Sequence, residues 1–200
     1  MAAKKRDTSK KRESILDAAE AAFVSDGYDN ASMDQIAEIA DASKRTVYNH
    51  FSSKEALFRA VLERLMEETH SLTQVLYDSD RPLADQLRDF ARAKIEVANN
   101  PKWMAIIRVT TAVFISHPEL AKDAMADSED KNDSLVKWLT AAAADGRLHV
   151  PDPRLTAVAF WGMVSGAFFW PAVFMGPMKK GEVRSLEKEL IEMFLSHYAS

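Results

Sequence analysis

The sequence contains no cysteine, and only six glycines and seven prolines among its 200 residues. Without thiols there is no disulfide, no cysteine nucleophile and no cysteine-based zinc or iron–sulfur centre. The scarcity of glycine and proline, beside abundant alanine, leucine, glutamate, lysine and methionine, favours helices over strands. No strand pattern, internal repeat or low-complexity run is visible. No pair among His70, His117, His149 and His197 has metal-ligand spacing, so neither a metal nor another cofactor is expected, and no catalytic constellation is legible. A secretory signal is also missing, because the basic start leads into a charged amphipathic segment rather than an apolar run. A reducing cytoplasm is compatible with the lack of thiols. What is present is a hydrophobic fraction of 47%, enough for a buried core.

Nor is there an excess of positive charge, since the net charge is −4. The acidity is unevenly placed. Residues 1–54 carry nine Lys/Arg against nine Asp/Glu, while the rest carries 17 against 21. The basic residues of the neutral part fall in clusters, Lys4–Arg6 and Lys10–Arg12, then Lys44, Arg45 and Lys54. Exposed charges are screened beyond about 10 Å, so the local face matters more than the total.

Residues 1–8 read as a flexible basic tail. From Ser9 to Ser25, Ile15, Ala18, Ala19, Ala22 and Phe23 recur at helical spacing, and Asp26-Gly27 ends the pattern. Ser32 then reads as the N-cap of a short helix over 33–40, with Gln35 completing a capping-box pattern. After the tight turn Asp41-Ala42, Ser43 caps a helix over 44–50. Ser52-Ser53 opens a longer one over 54–76. Beyond Arg81-Pro82, helices are expected near 82–99, 101–116, 118–126, 129–145, 153–176 and 183–198.

Two short helices joined by a turn of about three residues have the dimensions of a helix-turn-helix. In such a unit the second helix enters the major groove of DNA. Here Val47 and Phe51 face the core, which leaves Lys44, Arg45, Thr46, Tyr48 and Asn49 as a donor-rich face beside the cap Ser43. Arg45 suits guanine O6/N7, and Thr46 suits a base edge or thymine methyl. Ser32, Tyr48 and Lys54 are placed for phosphates, the first and last at helix N-termini whose dipoles attract anions.

The run SMDQIAEIADASKRTVYNHFSSKEALFRAVLERL resembles the DNA-binding domain of the TetR family of one-component regulators, and ILDAAEAAFVSDGYDNAS resembles that family's first helix and turn. The resemblance spans Lys11 to Leu65. It implies DNA contacts from Thr46, Tyr48, His50 and Lys54. The family's usual Gly-Val before the recognition-helix serine is Asp41-Ala42 here; aspartate tolerates a left-handed turn better than most residues. The segments AVFISHPELAKDAMADS and PDPRLTAVAFWGMVSGAFF resemble the body of the AefR-like branch. The implied fold is all-α: a helix-turn-helix domain over 9–54 and a ligand-binding, dimerising bundle over 55–200.

The same resemblance implies that the last two long helices pair with those of a second subunit. Leu155, the small residues Gly162 and Gly166, and Leu186, Leu190 and Phe194 are the candidates for that seam. The uncharged stretch Leu155–Met178 is long enough to cross a bilayer, but Pro171, the interior glycines and the lack of a second span favour a protein core, and no membrane partner is expected. Trp103, Met104, Ile107 and Phe114, with Trp138, Trp161 and Phe169, are candidate walls of a pocket for a hydrophobic or aromatic effector. Arg108 and His117 are its candidate polar anchors. The expected function is a homodimeric regulator, a repressor, that binds palindromic operator DNA and is released by a small ligand. The alternative is a helical-bundle carrier or enzyme in which the N-terminal helices are structural only.

Overall fold

The computed structural model describes residues 2–126 and 134–199, and these are helical nearly throughout. Among them the only β pairing is an isolated bridge between Leu148 and Ala199. The first helix, α1 (Ala2–Asp26), begins before the expected Ser9, and Gly27 ends it in the left-handed conformation at φ 79°. Helices α2 (Met33–Ile39) and α3 (Lys44–His50) follow as expected. α4 (Lys54–His70) stops short of the expected Leu76 and passes into a single 3₁₀ turn over Ser71–Thr73. The reason is local: the Thr73 hydroxyl donates to the His70 carbonyl at 2.9 Å, offering the backbone an alternative to another helical turn.

Four further helices are α5 (Leu83–Asn99), α6 (Pro101–Ser116), α7 (Pro118–Ala126) and α8 (Ser134–Ala144). The expected start of the last, near 129, lies outside the described residues. The apolar stretch expected as one helix runs from Pro153 to Met175 but widens in its middle. α9 (Pro153–Val164) runs into a π turn over Ser165–Phe169 before α10 (Trp170–Met175). Pro171 accounts for the widening. It has no N–H for the preceding turn, and its ring would crowd the carbonyl four residues back, so the backbone widens ahead of it. α11 (Lys180–Tyr198) closes the chain.

The chain forms two compact units, one from residues 1–67 and 105–127, the other from 68–104 and 128–200. Helices α4 and α6 therefore contribute residues to both. The first unit is built on Ile15, Ala19 and Phe23 of α1, Ile36 of α2, Val47 of α3, Leu57 and Phe58 of α4, and Ile106 and Val113 of α6. Phe58 meets Phe23 edge-on at 5.5 Å between ring centres and Tyr28 at 4.9 Å. Burial of one such ring is worth about 1.5–3 kcal/mol.

The second unit packs Leu87 and Phe90 of α5, Leu135, Trp138 and Leu139 of α8, Phe160 and Val164 of α9, Phe168, and Ile191 and Phe194 of α11. Gln86, fully buried, holds it together. Its amide nitrogen donates to the carbonyls of Asp78 (2.8 Å) and Arg81 (3.0 Å), and its oxygen accepts from Asp78 N and Trp138 Nε1, each at 2.9 Å. Every donor on that amide is used, which is what makes its burial tolerable.

Candidate nucleic-acid interface

Ser32 lies in extended backbone (φ −119°, ψ 150°) and its hydroxyl accepts the Gln35 N–H at 3.1 Å, opening α2. The expected reciprocal half of the capping box is absent. The Gln35 side chain donates instead to the Asp26 carboxylate at the end of α1. α2 ends in a Schellman motif: Ala42 N reaches Ala37 O at 2.9 Å and Asp41 N reaches Glu38 O at 3.1 Å. Asp41 takes the left-handed position at φ 46°, the single described non-glycine residue with a positive φ. The aspartate thus does the work of the glycine usual at this point.

α1 braces that turn. Lys11 Nζ donates to Asp41 O at 3.0 Å, Ser14 Oγ to Ala40 O at 3.2 Å, and the Arg12 guanidinium lies 5.2 Å above the Phe51 ring. Part of the basic cluster that looks free in the sequence is therefore fastening the turn between α2 and α3.

Ser43 caps α3, accepting Thr46 N–H at 3.1 Å, and its oxygen lies 2.8 Å from the Thr46 hydroxyl. Val47 is fully buried and anchors the helix, while Tyr48 is 51% exposed. Lys44, Arg45 and Asn49 are exposed, and Thr46 and His50 are half-buried. Lys44 is bound to Asp34 of α2 at 2.6 Å, a hydrogen-bonded carboxylate that raises its pKa and pins α3 to α2. Arg45 makes no hydrogen bond or ion pair with any described residue, so its five donors face outward.

Lys54 departs from expectation. Its ammonium donates to the carbonyls of Tyr28 (2.8 Å), Asp29 (3.1 Å) and Ala31 (3.2 Å), and sits 4.6 Å from the Tyr28 ring centre. Its three protons are all engaged inside the domain, so it is a fastener for the α1–α2 loop rather than a free phosphate ligand. The Tyr28 phenol lies close to the Glu55 carboxylate. Burial, with that carboxylate and Asp29 nearby, pushes it up to about 12, while the Ser53 side chain and Glu55's own backbone N–H hold the Glu55 carboxyl below its usual range. His117 joins the same loop, with Nε2 2.9 Å from Asp29 Oδ1 and its ring edge-on to Tyr28. Sequence spacing gave no sign of these loop contacts, because their partners lie up to 88 residues away.

The residues expected to wall a ligand pocket are divided between the two units. Phe114 packs on the core of the first unit, to which Ile107, Arg108 and His117 also belong, whereas Trp103, Met104, Trp138, Trp161 and Phe169 belong to the second. His117 is engaged on the loop through Asp29 and Tyr28. Trp138 is core, 1% exposed with its N–H bound to Gln86. Trp103 donates to Glu68 at 2.9 Å. Shallow hollows of about 510 Å³ beside Lys10 and Ile39 and about 640 Å³ beside Tyr77 and Arg81 contain none of these residues. In the expected seam Leu155, Gly162 and Gly166 are exposed and Leu186 and Leu190 half-buried, but Phe194 is 2% exposed in its own unit and has no surface to offer a partner.

Comparison with known proteins agrees with this geometry. Residues 15–61 match the family described as bacterial regulatory proteins, tetR family, and residues 85–200 match the AefR-like transcriptional repressor C-terminal domain. The regulator RutR of Escherichia coli K12 is 27% identical over 159 residues, 78% of this chain and 73% of RutR. A TetR-family regulator of Pseudomonas syringae pv. tomato DC3000 superposes with a TM-score of 0.80 at 33% identity, covering 95% of this chain and 97% of that one. The flavonoid-responsive regulator FrrA superposes with the same score at 27% identity, covering 96% and 98%.

Proposed function

The chain belongs to the TetR family of transcriptional regulators, with an AefR-like C-terminal part, and from that premise we propose a cytoplasmic homodimeric repressor that a small ligand releases from palindromic operator DNA. The observation that carries it is the outer face of α3. Val47 fixes the helix from behind while Arg45, Tyr48 and Asn49 stand clear of the domain with their donors outward. One helix of seven residues makes few base contacts, whereas two related by a two-fold axis read both halves of a palindrome. Residues 9–54 are the reading part, and the chain from 55 onward senses and dimerises.

The seam is supported by an apolar stripe. Leu155 (67% exposed) and Val158 (69%) lie one turn apart on α9, and Phe174 (72%) on α10 extends the apolar surface. Gly162 and Gly166 lie between them, with open space where a side chain would be. Leu186, Leu190 and Met193 repeat the pattern on α11. The segment 153–175 is long and apolar enough to cross a membrane. The continuation of the apolar surface on a second, amphipathic helix favours a second copy of the chain as its cover.

The test is a mobility-shift titration on the DNA flanking the protein's own gene, at several salt concentrations. One palindromic segment retarded by a dimer at competitor excess is the expected result. Equal affinity for every sequence at every salt concentration sinks the reading and leaves a helical carrier whose N-terminal helices are structural.

A further inference from the structure

Two polar groups of the second unit have no hydrogen-bond partner among the described residues. Lys94, on α5, makes no hydrogen bond or ion pair with any described residue; its ammonium lies 4.5 Å from the centre of the Phe169 ring. Burial alone lowers its hold on its proton. The Trp161 indole N–H, on α9, is buried with no acceptor. The two are joined through Phe90, which sits one helical turn before Lys94 and meets the Trp161 ring edge-on at 6.1 Å. Phe169 belongs to the π turn that continues the helix of Trp161.

Among the described residues, Glu187 Oε1 is the other buried polar side-chain atom without a hydrogen bond, and it at least has a countercharge. The Trp138 indole has Gln86, and Glu187 has the Arg92 guanidinium 3.3 Å away, near enough for an ion pair though not aligned as a hydrogen bond. An unpaired buried donor is costly, and Lys94 is half-buried against an aromatic ring with no carboxylate to balance its charge. A π turn is a rare element that recurs at functional sites.

We propose that Lys94 and Trp161 form the polar end of a site for a small aromatic anion, a carboxylate or phenolate, with Phe169 as its flat apolar wall. The anion supplies the countercharge that Lys94 lacks, and one of its oxygens accepts the Trp161 N–H. The inference rests on the reading of the chain as ligand-responsive and names the chemistry of the ligand. A hydrogen bond to a charged group is worth about 1.5–3 kcal/mol, which corresponds to a factor of about ten to a hundred in affinity.

The experiment titrates the full-length protein with 2-naphthoate and with its neutral isostere 2-naphthamide by calorimetry, in the wild type, Lys94→Met and Trp161→Phe. The wild type is expected to prefer the carboxylate by at least about tenfold. Lys94→Met abolishes the preference while leaving amide binding in place, and Trp161→Phe weakens both compounds. No carboxylate binding, an amide bound as tightly as the carboxylate by the wild type, or a preference that survives in Lys94→Met overturns the proposal. The wild-type preference needs no substitution, so a variant that misfolds does not shelter it. The same compounds are then added to the protein–DNA complex. Carboxylate binding without release of DNA keeps the anion site and removes the ligand-released repressor. Release by neutral aromatics alone does the reverse.

Discussion

At the scale of single residues, the basic side chains near the recognition helix divide into fasteners and readers. Lys11, Lys44 and Lys54 are tied to Asp41, Asp34 and the 28–31 loop, and Arg45 is free. Arg45→Ala is therefore expected to cost about 1–3 kcal/mol on the cognate operator and little on random DNA, as read by paired titrations. Lys54→Met is expected instead to lower the melting temperature, since three carbonyls lose their donor. A Lys54→Met protein of unchanged stability that has lost affinity for all DNA alike would return Lys54 to the phosphate. Asp41 sets a second expectation. A left-handed residue other than glycine costs about 1–2 kcal/mol, and the extra freedom of unfolded glycine returns about 0.5–1 of it. Asp41→Gly should thus raise stability by up to about 1 kcal/mol in urea unfolding, and a loss would show that the carboxylate has a role of its own. Tyr28 adds a pH dependence. Its phenol, pushed up to about 12 by burial and by Glu55, keeps its proton in the folded state after an unfolded chain has lost it. That contribution is complete below pH 10 and disappears as pH rises through 12. The stability gap between wild type and Tyr28→Phe should accordingly narrow across that range, and a gap constant in pH would remove Tyr28 from the loop's support.

At the scale of elements, the seam is the part most open to test. Val158 is 69% exposed in the middle of the apolar stripe, so Val158→Glu leaves the protomer's core intact and places a charge in the proposed four-helix contact. Sedimentation should then show a monomer with wild-type helix content, and a dimer of undiminished strength would move the interface elsewhere. The elements themselves were largely legible in the sequence, because caps and periodicity act locally. Ser32, Ser43 and Gly27 mark helix ends where the structure has them, and Val47 faces inward as its spacing predicts. What was not legible depends on partners distant in the chain. The burial of Phe194 and Trp138, the use of Lys54 and the strut at His117 are set by tertiary contacts with no local signature. The π turn stands between: Pro171 announces a disturbance, but whether a helix kinks, ends or widens there is decided by what packs on it.

At the scale of the whole molecule, an acidic chain that binds DNA must do so through local charge, and the structure narrows which charges those are. With Lys11, Lys44 and Lys54 engaged internally, each reading face offers Arg45 and few other free cations, so phosphate attraction has to be supplemented from elsewhere in the chain. The remaining cluster is Lys4, Lys5 and Arg6. The slope of log affinity against log salt changes by about 0.9 for each phosphate neutralised. Replacing all three by alanine removes six cations from the proposed homodimer and should flatten the slope by up to about 5, weakening specific and random DNA together. Base preference, which we assign to Arg45, should survive. If the slope is unmoved, the electrostatic part of binding comes from rearranged fasteners, and the ion pair of Lys44 with Asp34 is the first that DNA phosphates would have to break.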